Sequence, residues 1–184
     1  MKSHKASPFK SSSRISAPSP QAQISARKGV QKSTAFEDSN RIFHKDWYMR
    51  FHHIGYAVKD IRSYLDDFLI PMFSPVSVSD PVADPVQQVT VCFAQMQGGT
   101  VIELVEPMGK NSPVNSVIGN SRGGLYHVCY EVDDIEIALE HFRRKRCLPL
   151  GEPVSATAFD GRRIVFLLTQ ERDIIELVER PPSR

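Results

Sequence analysis

Two histidines and two glutamates stand out because each occurs once per copy of an internal repeat. His53 and His127 lie 74 positions apart, and Glu103 and Glu176 lie 73 apart. Around the histidines, "FHHIGYAVKDIRSYLDDF" (51–68) and "LYHVCYEVDDIEIALEHF" (125–142) agree at seven of eighteen positions. Around the glutamates, "TVCFAQMQGGTVIELVEP" (90–107) and "RIVFLLTQERDIIELVER" (163–180) share the run "IELVE". A carboxylate set among aliphatic residues of a strand is costly to bury unless something satisfies it. Two neutral imidazoles and two carboxylates together neutralise a divalent ion and hold it with open positions for a substrate. Taken singly these residues are ordinary. A strand histidine is usually a satisfied core or surface residue, and a strand glutamate is usually the polar side of a two-faced sheet, the reading given to Glu106 and Glu179. The joint recurrence of His and Glu carries the metal reading, because neighbours such as Gly55/Cys129 and Ala57/Glu131 differ between the copies.

The elements that must position these residues follow from periodicity. In "HHIGYAV", Ile54, Tyr56 and Val58 alternate with His53, Gly55 and Ala57, the period-2 pattern of a strand with two unlike faces. Asp60 is a candidate N-cap for a helix whose Ile61, Tyr64, Leu65 and Phe68 recur at helical spacing. The second copy repeats this, with Val128, Tyr130 and Val132 on one strand face, then Asp134, Ile135, Ala138, Leu139 and Phe142. One face of each strand therefore packs under its helix, and the face with His53 or His127 looks the other way. The "IELVE" segments each close a pair of strands joined by tight turns at "QGG" and "QERD". Segments 71–86 and 147–162 have room for one more strand each. Each half reads strand, helix, then two or three strands, and each covers the other's open face.

A chain of 184 residues suits one domain built from two such halves, about 51–107 and 125–180 within 49–180. No apolar run reaches the roughly 18 residues that a membrane span needs. Cys92, Cys129 and Cys147 have no CxxC spacing and read as reduced, buried thiols. Residues 1–36 hold seven Lys or Arg and no acid, which leaves the remainder with 16 basic and 21 acidic side chains, a net of −5. An acidic body argues against nucleic-acid binding. The run "RRKR" (143–146) reads as a solvated helix end, favourable near the C-terminal dipole. The Ser-, Lys- and Pro-rich segment 1–48 cannot bury enough apolar surface to fold and is expected to be a disordered tail. A misassigned start before Met49 and an organellar targeting segment are its alternatives, so the expected location is cytoplasmic, or mitochondrial if that segment is a transit peptide. Residues 181–184 form a short C-terminal tail.

"HHIGYAVKDI", "VIELVEP", "GGLYHVCYEVDDIEIAL" and "IIELVE" resemble the vicinal oxygen chelate (glyoxalase/bleomycin resistance/dioxygenase) superfamily and, within it, the methylmalonyl-CoA epimerases. The resemblance covers residues 51–180. It implies an α+β fold of two tandem βαβββ modules, whose mixed sheet curls around a divalent metal held by His53, Glu103, His127 and Glu176. Co, Mn, Ni, Zn and Fe all suit such a set. A fourth ligand at Glu103 leans away from the three-ligand iron site of the extradiol dioxygenases. The chain departs from the epimerase pattern at "LTQERD", at "FLIPMFSP" and at "QQVTVCF", where some epimerases carry a glutamate base and this chain has no carboxylate.

The implied activity is epimerisation of an acyl-CoA-type thioester by α-proton transfer, with the enolate stabilised by the metal. Glu176 is the candidate base, and Glu131, on the strand face of His127, is a second acid/base candidate with the competing reading of a surface acid. A glyoxalase-type lyase and a non-enzymatic small-molecule binder are the alternatives. The expected partner is the small-molecule substrate, with a homodimer compatible.

Overall fold

In a computed structural model the described residues are 49–119 and 123–181, all within one compact unit, Phe43–Arg184. The tail assigned to residues 1–48 lies outside the described residues. Strand β1 (Met49–Val58) leads to a helix α1 (Ile61–Phe73), then β2 (Ser77–Val78), β3 (Val82–Asp84), β4 (Val89–Gln95) and β5 (Val101–Pro107). A short helix α2 (Asn115–Ile118) links to the second half. That half runs β6 (Gly123–Val132), α3 (Ile135–Arg144), β7 (Leu148–Pro149), β8 (Val154–Ser155), β9 (Arg163–Leu168) and β10 (Ile174–Glu179).

The strands form one mixed sheet in the order β2-β4-β5-β1-β6-β10-β9-β7, with β3 beside β4 and β8 beside β9. The first strand of each half pairs in parallel with the last strand of its own half, and β1 pairs antiparallel with β6 at the centre. The duplication read in the sequence is therefore the architecture. The single extra strand expected in each of 71–86 and 147–162 is split into two short pieces, β2/β3 and β7/β8, along the edge of β4 or β9.

Asp60 and Asp134 cap their helices as expected, the former accepting from the Ser63 N–H and the latter from the Glu136 and Ile137 N–H groups. Glu106 and Glu179 do more than face solvent. Each accepts from the first N–H of its half's helix, Ile61 at 2.8 Å and Ile135 at 3.2 Å, which places negative charge at the positive helix end.

The helices differ. In α1, Leu65–Leu69 is a π turn, with the Ile70 N–H reaching the Leu65 carbonyl. Pro71 lacks an N–H to donate to the preceding turn, and the wider turn accommodates it. One extra residue in the turn moves the buried position from Phe68, which is 40% exposed, to Leu69, which is 2% exposed. The regular helix α3 keeps Phe142 packed against its core.

Four buried clusters surround the sheet. Val58, Ile61, Leu69 and Leu104 lie under α1, and Val132, Ile135, Leu139 and Leu177 lie under α3. On the opposite face, Ala57, Val91 and Val105 form one cluster and Cys129, Ile164 and Val178 another, with Phe93 touching both. The functional side chains lie on this inner face. Cys92 and Cys129 are buried as expected, whereas Cys147 is only half-buried; all three are free. Residues 143–146 form an exposed helix end. No described helix is long and apolar enough to cross a membrane.

Candidate metal centre

The four strands that carry the repeated residues are adjacent at the centre of the sheet, β5-β1-β6-β10. His53 projects from β1, Glu103 from β5, His127 from β6 and Glu176 from β10, and all four are buried. Their donor atoms converge. His53 Nε2 and His127 Nε2 are 3.0 Å apart. His53 Nε2 lies 3.2 Å from both Glu103 Oε2 and Glu176 Oε2, and His127 Nε2 lies 3.3 and 3.2 Å from the same two oxygens. Donors bound to one first-row ion at about 2.0–2.2 Å, at right-angled or tetrahedral angles, stand roughly 3.0–3.5 Å apart. The set has the spacing of a metal centre.

The electrostatics fit a cation as well. Burial works to lower the pKa of His127, but the carboxylates of Glu176 and Glu103 prevail and raise it to about 9. The pKa of His53 is raised in the same way, against its burial, by Glu103 and Glu176. Burial alone would raise Glu103 and Glu176, yet the facing histidines hold both below the usual carboxylate range. The four groups together favour positive charge at their centre. Glu176 Oε2 is buried and aligned with neither imidazole for a hydrogen bond, an acceptor that a cation would satisfy.

Two residues that the sequence reading passed over complete the site. Phe51 pairs with Tyr130 and His53 with Cys129, so His52 is an extra residue on β1. Gly55 pairs with His127 and Tyr56 with Leu125, so Tyr126 is an extra residue on β6. These two β-bulges sit at equivalent points of the halves, immediately before each histidine, and turn His52 and Tyr126 to the inner face. His52 Nδ1 is 2.9 Å from His53 Nδ1. Tyr126 packs edge-on to His127 at 4.9 Å and stacks on Phe166 at 6.0 Å. Burial, with Glu176 and Glu103 nearby, pushes its phenol up to about 12, so it is a neutral donor. The one signal that could have revealed these residues is the 74-residue offset between "HH" and "YH".

A cavity of about 390 Å³ opens onto the cluster. Glu103, His127, Glu176 and Tyr126 line it with ionisable groups, Gln87 and Asn111 add neutral polar groups, and valines with Leu150 and Phe166 supply much of its apolar wall. Burial raises the pKa of Cys129 well above the usual thiol value, which keeps the sulfur protonated beside Glu176.

Glu131 is placed differently from the other sequence candidates. It shares the β6 face of His127 but is absent from the cavity wall and from the four-donor cluster. Its carboxylate meets Arg50 at 2.9 Å and Arg162 and Arg180 at 3.2 Å each. Partial burial would raise its pKa, but Arg180, Arg50 and Arg162 lower it. A carboxylate engaged by three guanidinium groups is a poor proton acceptor.

The curled sheet of paired modules and the His/Glu cluster at its centre define a class. The chain belongs to the glyoxalase/bleomycin resistance protein/dioxygenase superfamily, whose profile matches residues 52–166. Within that class it is similar to epimerases. It is 29% identical over 140 residues to human mitochondrial methylmalonyl-CoA epimerase, covering 75% of this chain and 77% of that one. It is 30% identical over 119 residues to an ethylmalonyl-CoA/methylmalonyl-CoA epimerase of Cereibacter sphaeroides, covering 64% of this chain and 87% of that one. The fold matches the methylmalonyl-CoA epimerase of Mycobacterium tuberculosis with a TM-score of 0.63 at 20% identity, over 72% of this chain and 89% of that one.

Proposed function

We propose that the chain is an isomerase: a metal-dependent epimerase acting by α-proton transfer on an acyl-CoA thioester of the methylmalonyl-CoA type, with residues 49–180 as its functional unit. The observation that carries this is the convergence of four buried donors, two from each half, three of which line a cavity that also has an aliphatic wall. His53, Glu103, His127 and Glu176 would hold the ion. Bound there, a divalent ion would supply positive charge where negative charge develops as the α-proton leaves.

The chain's own residues do the remaining work. Glu176, whose carboxylate lines the cavity, takes the α-proton. Tyr126 is the ionisable residue on the described cavity wall that lies outside the four donors, and its neutral hydroxyl donates to a substrate oxygen. Val91, Val105 and Leu150 surround the acyl branch and keep water from the enolate. Glu131 holds its arginines and takes no part in proton transfer.

Cereibacter's relative is named for both methyl and ethyl substrates, and we infer the same breadth here. The human relative is mitochondrial by name, and the basic, acid-free residues 1–36 have the composition of an import segment. We infer a mitochondrial enzyme if that segment is cleaved on import and a cytoplasmic one if it is retained; N-terminal sequencing of the cellular protein decides. We also infer a homodimer, checked by light scattering.

The test of the reaction is α-deuterium exchange of methylmalonyl-CoA, followed by NMR. The wild type should exchange, and Glu176→Gln should be slower by at least about a hundredfold, the scale of losing a general base. Metal affinity should fall far less, since an amide oxygen remains at that position. Exchange at the wild-type rate in Glu176→Gln places the base elsewhere. No exchange by the wild type with any acyl-CoA moves the lyase or binding-protein reading ahead.

A further inference from the structure

The two histidines of the cluster are held unequally. Behind His127, the far ring nitrogen Nδ1 is buried without a hydrogen-bond partner among the described residues. Behind His53, Nδ1 faces the Nδ1 of His52 at 2.9 Å. Two ring nitrogens at that distance share one proton, one donating and the other accepting. Nε2 of His53 points at the other three donors and must present a lone pair to hold an ion. The shared proton therefore belongs on His53 Nδ1, and the acceptor is His52.

We propose that His52 is a positioning residue of the metal centre, an imidazole acceptor that fixes the tautomer and ring angle of His53. Metal-bound histidines usually donate their second N–H to a carboxylate, a carbonyl or water. Here the bulge on β1 brings a neighbouring side chain to that place. Its own orientation is also held. The His52 ring stands edge-on to Phe159 at 5.6 Å, and Phe159 in turn stacks on His53 at 5.8 Å with 21° between the planes. His52 and His53 thus form a braced pair with one proton between them, whereas His127 is braced by packing alone.

This inference rests on the four-donor reading, and the experiment separates the two. Co²⁺ affinity is measured by calorimetry for the wild type, His52→Phe and His52→Asn, with urea midpoints to confirm folding. His52→Phe keeps a ring against Phe159 but removes the acceptor, and should bind Co²⁺ about 10- to 100-fold more weakly. His52→Asn offers an oxygen where Nδ1 stood and should recover most of the loss. Wild-type affinity in His52→Phe overturns the proposal while the metal centre stands. A wild type that binds no Co²⁺ overturns the metal centre and, with it, the proposed role.

Discussion

The two halves share a backbone plan and differ in what fills the space around each histidine. Around His53 the space is closed. Cys129 lies opposite it on β6, His52 stands behind it, and Phe159 covers it from the turn between β8 and β9. Around His127 the space is open. Its strand partner is Gly55, its bulge residue is Tyr126, and the corresponding turn between β3 and β4 brings Val86 and Gln87 to the cavity with no aromatic side chain. Phe93 and Phe166 are the part that stayed alike, each edge-on to its half's histidine at 5.9 and 5.4 Å. Duplication thus accounts for the symmetric donor set, and divergence of the surrounding residues leaves a cavity that His127 lines and His53 does not. Both halves supply donors to the cluster, and the His127 side faces the cavity.

Gly55 is the sharpest place to break this arrangement. A Cβ on its backbone would fall within the His127 ring, on Cε1 and both nitrogens, and the ring has no room to stay. Gly55→Ala should therefore weaken metal binding by about a hundredfold, the upper end of what misorienting a ligand costs, with a fold intact by circular dichroism. Calorimetry with Co²⁺ reads the effect. Unchanged affinity would mean that the His127 ring is not where the structure has it.

Glu131 tests the closed end of the molecule. Removing its charge leaves Arg50, Arg162 and Arg180 without their shared partner, and Glu131→Gln should cost about 2 kcal/mol, less than a fully buried pair because the arginines reach solvent. Its carboxyl pKa is lower in the folded protein than in the unfolded chain. The contribution is therefore present above about pH 4.3, the unfolded value, and is lost as pH falls through the folded pKa. Urea midpoints of wild type and variant should differ at pH 7 and converge in acid. α-Deuterium exchange should persist in this variant, and its abolition with metal binding intact would return Glu131 to the reaction.

Tyr126 tests the open half. Tyr126→Phe should leave Co²⁺ affinity unchanged while kcat/KM falls about tenfold, the scale of one lost hydrogen bond at about 1.4 kcal/mol. A matching loss of metal affinity would show that the phenol braces His127 and does not meet the substrate. The smallest effect is expected at Cys129→Ala, which removes a protonated thiol from the closed side; metal affinity should stay within about threefold, since a thiol is a weak donor.

Much of this site was legible because the chain states it twice. A single strand histidine or glutamate carries little information, but His53/His127 and Glu103/Glu176 at matching offsets place four donors on equivalent strands before any coordinates are known. The caps at Asp60 and Asp134 were readable for the same reason. The bulges were not. Period-2 alternation sends His52 and Tyr126 to the face opposite their neighbours, and nothing local marks an extra residue in a strand pair. Helical periodicity likewise put Phe68 on the buried face, because the π turn that substitutes Leu69 depends on how Pro71 is accommodated. Glu131 was misleading for a related reason. Its face was readable from its position four residues after His127, but the arginines that occupy it come from β1, the β8–β9 turn and the segment after β10.

The central claim is that one divalent ion is held jointly by both halves, and metal content per folded chain tests it most directly. Protein equilibrated with excess Co²⁺ and desalted should retain about one equivalent, as a closed set of four protein donors implies. His53→Ala, which empties one half's histidine, and His127→Ala, which empties the other's, should each lose stoichiometric retention, and the double variant should retain none. Full occupancy in a folded double variant would contradict the account.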